Sequence, residues 1–141
     1  MKLLKFFLVL AAISICAAAG VEKDEIKIVA NPDLGVSEIS RDELNRIFLM
    51  AKTSLQGTRH VEPVLENAGP AHQMFLKEYI GRTDAALMTY YRSLVFTGKA
   101  SIPKTFKSDS ELIAYVAKTK GAIGYVSATA STAGVKTLKV K

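Results

Sequence analysis

Apolar and polar positions alternate through "EIKIVAN" (Glu25 to Asn31), with Ile26, Ile28 and Ala30 on one side before the Asn31-Pro32 break. A period of two predicts a strand that stops at the proline. "SRDELNRIF" then changes period: Ser40 and Glu43 form a capping box, and Leu44, Ile47 and Phe48 share one face of a helix. "TSLQGTR" reads as a loop, and "HVEPVLE" (His60 to Glu66) as a short strand that Pro63 pushes to a sheet edge or a strand end. Pro70 suits the first position of a helix, because its missing N–H would have had no partner there. Met74, Phe75 and Ile80 give that helix its apolar side, and Gly81 ends it. Thr83 caps a further helix with Leu87, Tyr91, Leu94 and Val95 in its stripe. Ser108 and Glu111 form a second capping box before Leu112, Ile113, Val116 and Ala117. "GAIGYVSA", opened by Gly121, and "VKTLKV" read as the closing strands. The order is strand, helix, strand, three helices, strand, strand, which predicts an α/β domain with a central sheet covered by helices.

The first twenty residues stand apart from this pattern. Lys2 and Lys5 precede an apolar run from Phe6 to Ile15, and Ala17-Ala18-Ala19 follows. That is the three-part form of a secretory signal peptide. The apolar run falls short of the roughly 20 residues of a membrane span. The expected organisation is a leader over residues 1–19 and one domain over residues 20–141, exported to the periplasm or beyond, with no stable membrane span after cleavage; a retained N-terminal anchor is the alternative. Cys16 is the only cysteine. Lipid modification would call for a small residue before it, where Ile15 stands, so Cys16 leaves with the leader. The exported domain is then without thiol or disulfide.

Charge narrows the partners. The chain has 19 basic and 13 acidic residues. Losing Lys2 and Lys5 leaves 17 − 13 = +4 on the exported part. The lysines are dispersed, whereas a nucleic-acid footprint needs them gathered on one face, so nucleic acid is not expected as a partner. The tail Lys136, Lys139 and Lys141 reads as the exposed side of a strand.

Catalytic chemistry finds no recognised frame. There is no G-x-S-x-G elbow, and His60 and His72 sit in no recognised catalytic spacing. No histidine pair or cysteine set suggests a metal, and neither Gly121-to-Gly124 nor Thr97-Gly98-Lys99 completes a cofactor loop. The adjacent Tyr90 and Tyr91 read as packing, with one ring toward the core. The remaining candidate is "ENAGPAHQMF" (Glu66 to Phe75), a turn feeding a helix start. Unpaired N–H groups and the positive end of the helix dipole attract anions there. Gly69 permits close approach to the backbone, Ala71 follows it in the first turn, and His72 could add a donor. Pro70 removes one N–H, and Glu66 adds negative charge nearby.

Several segments together resemble the phosphate-type solute-binding proteins of ABC importers, specifically their periplasmic-binding-protein-like domain. "IVANPDLGVSEISRDELNRIF" looks like the family's strand, Asn-Pro turn and L-x-x-x-E-L-x-x-I-F helix. "YYRSLVFTGKASIPKTFKSDSELIAYVAKTKGAIGYV" is similar to a short, single-domain branch. The resemblance runs from Ile26 almost to the C-terminus. It implies one lobe of a periplasmic-binding-protein-like fold, with a central mixed sheet covered by helices. It also implies a non-enzymatic solute-binding protein for phosphate or a related oxyanion, without a cofactor. Its partners would be an ABC permease, or a second lobe or protomer. In the larger phosphate binders the turn resembles R-E-x-G-S-G-T-R-x-x-F. Leu65, Gly69, Pro70, Ala71 and His72 stand here at that pattern's arginine, serine, glycine, threonine and arginine. The helix after the first strand ends "IFLMAK" where the family has I-F-x-G-K, which puts Ala51 at the glycine and keeps Lys52. With those ligands gone, the expected anion contacts are Gly69, Ala71 and His72. The alternative is a periplasmic interaction or sensory module that keeps the fold without tight anion binding.

Overall fold

The computed structural model describes residues 25–141, and the leader expected over residues 1–19, with Cys16, lies outside them. Strand β1 (Ile26–Ala30) is the middle of a five-stranded mixed sheet. It pairs antiparallel with β6 (Ala122–Ser127) on one side and β7 (Lys136–Val140) on the other. The two-residue strands β2 (Glu38–Ile39) and β3 (Glu62–Pro63) close the edges, parallel to β7 and β6 respectively. A second, two-stranded sheet joins β4 (Leu65–Glu66) to β5 (Thr105–Phe106).

Side chains alternate across a strand, so β1 and β6 each feed two cores. Ile28, Ala30, Ile123 and Tyr125 face a cluster with Leu44, Ile47, Phe48, Phe75, Leu87 and Tyr91. Val29, Ala122 and Val126 face the other way, toward Val64, Leu112 and Val116. Helices α1 (Arg41–Phe48), α2 (Pro70–Phe75) and α3 (Asp84–Phe96) thus supply one layer, and α4 (Asp109–Lys118) the other. Burial on both faces explains why "AIGYV" in β6 is apolar throughout. Gly124 is the exception in size: a Cβ there would lie 2.8 Å from Leu112 Cδ2, so α4 sits directly on the strand.

The predicted caps form. Ser40 accepts from Glu43 N and Glu43 returns the bond, Thr83 accepts from Ala86 N, and Ser108 accepts from Glu111 N. Glu111 reaches one residue further back than a reciprocal box requires and accepts from Lys107 N. Tyr91 is buried and Tyr90 half-buried, and their hydroxyls donate to the carbonyls of Phe48 and Leu49, each at 2.6 Å. Those carbonyls lie at the end of α1, where no intrahelical donor remains.

Several expectations are corrected. The strand expected over His60 to Glu66 is two strands in two sheets: Val64 N still bonds Ile123 O, whereas Leu65 N bonds Lys104 O. The helix from Pro70 changes to a π-helical turn at Leu76–Ile80 before Gly81, in the left-handed region at φ 71°, ends it. At the end of α1 the left-handed residue is Met50 (φ 59°) and not Ala51, so the position that favours glycine lies one residue earlier. Lys136 does not share the outward side of β7 with Lys139: it lies on the side of Leu138, and its ammonium donates to Leu34 O at 2.6 Å and Val36 O at 3.3 Å.

Asn31 shows how the Asn-Pro turn is used. It is buried, accepts from Asp33 N at 2.9 Å, and donates to Val116 O and Ala117 O near the end of α4. Asn31→Ala is expected to destabilise the protein by about 1–3 kcal/mol, because it orphans buried carbonyls as well as removing bonds. Denaturant unfolding checks this, and Asn31→Asp, which keeps the acceptor and loses both donors, should recover little.

Candidate functional site

The turn that opens α2 is set by three neighbours. Glu66 closes β4, Asn67 N bonds Phe106 O at 2.9 Å, and Gln73 N bonds Gly69 O at 3.1 Å. Gly69 takes φ 107°, ψ 175°, a conformation open to glycine and strained for other residues. It contributes no side-chain cap, and Pro70 follows at the first helical position. The amides of Ala71 and His72 therefore lie in a first turn with no carbonyl one turn back within the helix. Residues 67–70 are exposed, so the turn is on the surface. Three surface cavities, of about 390, 680 and 700 Å³, are lined by other residues.

Of the three predicted contacts, Gly69 is exposed, while Ala71 and the His72 side chain are buried. Both ring nitrogens of His72 already have protein partners. Nδ1 lies 2.5 Å from the Tyr125 hydroxyl, and Nε2 lies 2.8 Å from Asp84 Oδ1. Glu66 N–H donates to the Tyr125 oxygen at 3.0 Å. The hydroxyl proton is then free to point at Nδ1, which leaves the imidazole proton on Nε2 facing Asp84. The imidazole donor expected for an anion is thus turned inward, and with the whole residue buried His72 keeps only its first-turn backbone N–H for that role. Burial pushes the Tyr125 phenol well above its ordinary range. A hydroxyl, an imidazole and a carboxylate in line would suit acyl transfer, but Tyr125 is fully buried and no substrate can reach its oxygen.

Behind the turn lies a second polar pair that the sequence reading missed. Glu66 is 5 % exposed, and its Oε1 has no donor among the described residues. Burial, and then a hydrogen bond and charge repulsion from Asp109, push its carboxyl up to about 8. For Asp109 burial acts upward too, but hydrogen bonds from Glu66 and Ser127 outweigh it and hold the group below the ordinary range. Ser127 N donates to Asp109 Oδ1 at 3.2 Å, and Ser127 Oγ donates to Oδ2. The signal in the sequence is slight: a glutamate ending an apolar strand reads as the strand's wet end. Lys52, which follows α1 in the chain, is tied to Glu43 in that helix at 2.8 Å. Among the described residues, no group of three or more His, Cys, Asp or Glu side chains is placed to hold a metal.

This architecture has known counterparts. PstS from Borrelia burgdorferi matches 84% of the chain at 14% identity with a TM-score of 0.64, over 47% of its own length. An ABC-type phosphate transport receptor from Vibrio cholerae matches 83% at 18% identity with a TM-score of 0.57, over 46% of its length. No family model matches the chain, and no curated protein matches it by sequence. At such low identity the likeness is one of fold: the chain has the periplasmic-binding-protein-like α/β fold, as its strand and helix motifs imply, and spans less than half of each neighbour, so it is one lobe.

Proposed function

We propose that the chain is an exported solute-binding protein that holds a small oxyanion, phosphate foremost, at the start of α2 and serves an ABC importer. The observation that carries this is the turn itself: an exposed Gly69 at φ 107° ahead of the first-turn amides of Ala71 and His72, which no side chain caps among the described residues, on a lobe of this fold. The solved neighbours include a phosphate transport receptor and PstS, which supports phosphate as the ligand to test. Residues 1–19 would be the cleaved leader, the permease or a second lobe or protomer the partner, and the role binding, not catalysis. No helix among the described residues is long and apolar enough to cross a membrane.

With backbone donors alone, phosphate should bind with Kd on the order of 0.1–1 mM, some 4–5.5 kcal/mol. Amide NMR during a phosphate titration tests this, with shifts expected at Gly69, Ala71 and His72. Gly69→Ala, which cannot hold the glycine conformation without strain, should weaken binding by about tenfold or more. Submicromolar binding would overturn an amide-only site. No response up to about 10 mM would favour the second reading, an interaction or sensory module, which the inward His72 ring and the nearby Asp109 carboxylate support.

A further inference from the structure

We propose that Glu66 and Asp109 share one proton, Glu66 donating to Asp109, and that this bond is a pH-operated latch between the strand entering the α2 turn and the start of α4. The inference is independent of what the turn binds. It starts from an accounting of donors. Glu66 is buried at the end of β4, and its Oε1 finds no N–H or O–H among the described residues. Helix α4 packs against β4, and the side chain Glu66 meets there is Asp109, the first residue of α4. A buried carboxylate without a donor costs several kcal/mol, and two ionised carboxylates in contact cost more. One proton between them resolves both problems.

Which oxygen carries it follows from the surroundings. Asp109 accepts from both the N–H and the hydroxyl of Ser127, and it stands where the α4 dipole favours negative charge. Asp109 is therefore the anion and Glu66 the acid. No cation competes for Glu66 from the elements packed on it. From β6 it meets the Tyr125 hydroxyl at its backbone; from α2 and α3, His72 and Asp84 are engaged with Tyr125 and with each other. Beside β5, Lys104 donates to Tyr115 at 3.0 Å, and Lys107 is exposed.

The ordinary glutamate value of 4.5 rises to about 8 in the fold. Between those values the folded chain holds a proton the unfolded chain has released. The latch's stabilisation is thus complete below about pH 4.5 and is lost as pH rises through 8. Once Glu66 ionises, repulsion from Asp109 acts directly on the strand feeding Asn67, Ala68 and Gly69.

The test compares thermal unfolding of the full exported chain with that of Glu66→Gln, whose amide N–H can bond Asp109 without titrating. Wild type should lose about 10 °C in Tm between about pH 6 and pH 9, while Glu66→Gln stays level in that window. Superimposable profiles would overturn the latch. Should Glu66→Gln fail to fold, carboxyl-carbon NMR of the wild type decides. A Glu66 carboxyl still protonated at neutral pH supports the shared proton, and one titrating in the ordinary carboxylate range overturns it.

Discussion

Phe75→Ala is expected to cost about 3–5 kcal/mol of stability and, with it, the geometry behind the α2 turn. Phe75 is fully buried; its ring stacks on Tyr125 at 4.0 Å between centroids and meets Phe48 edge-on at 4.6 Å. The three rings join β6, α2 and α1, so Phe75 packs its own helix against two other elements. Truncation loses the transfer free energy of the ring and leaves a void that large neighbouring rings cannot readily fill. It also frees Tyr125, whose hydroxyl is bonded to His72 and to the Glu66 backbone. Denaturant unfolding gives the magnitude. Phe75→Leu, which keeps most of the volume, should cost less than half as much. A loss below about 1 kcal/mol for the alanine variant would mean that the ring cluster does not anchor this side of the sheet.

That cluster also marks where the sequence becomes hard to read. Phe75 belongs to a helical period, and its burial follows from Met74, Phe75 and Ile80 as a pattern. The same kind of reasoning finds α1, α3, α4, β1, β6 and β7, because each repeats its own period long enough to be seen. It misses β2 and β5, two residues each, which exist as strands only because β7 and β4 lie alongside them. It joins β3 to β4, because the change of partner at Val64 and Leu65 is a tertiary event with no local mark beyond Pro63.

The candidate site is legible to a similar depth. Gly69 and Pro70 announce a turn into a helix, and the turn is there. The inward roles of His72 and Glu66 are not announced, since their partners Tyr125 and Asp109 lie 53 and 43 positions away in the chain. A histidine in a first helical turn and a glutamate at a strand end are ordinary surface residues by local pattern. Only the folded arrangement turns them into buried partners. Lys136 fails for a related reason: alternation identifies the two sides of β7, but not that one lysine's ammonium can reach the Leu34 and Val36 carbonyls from the buried side.

Gly121→Ala should be at least as damaging, at about 3 kcal/mol or more, through backbone contact rather than a lost side chain. Gly121 opens β6 at φ 79°, and a Cβ there would lie 2.2 Å from the carbonyl oxygen of His60. The neighbouring bond from Glu62 N to Gly121 O, at 2.8 Å, holds β3 against β6, so the approach cannot relax without parting the edge strand. Two costs are combined in this variant, and Gly98 separates them. Gly98 has a similar φ of 72°, but a Cβ there meets nothing within 4 Å. Gly98→Ala should therefore show the conformational part alone, about 1–2 kcal/mol. Unfolding measurements on both variants isolate the steric part by difference. If the two lose the same stability, the chain does not pass His60 at this distance. If Gly121→Ala loses far more, the seam beside β3 leaves no room for a Cβ against the His60 carbonyl, and a glycine is needed there for space as well as for conformation.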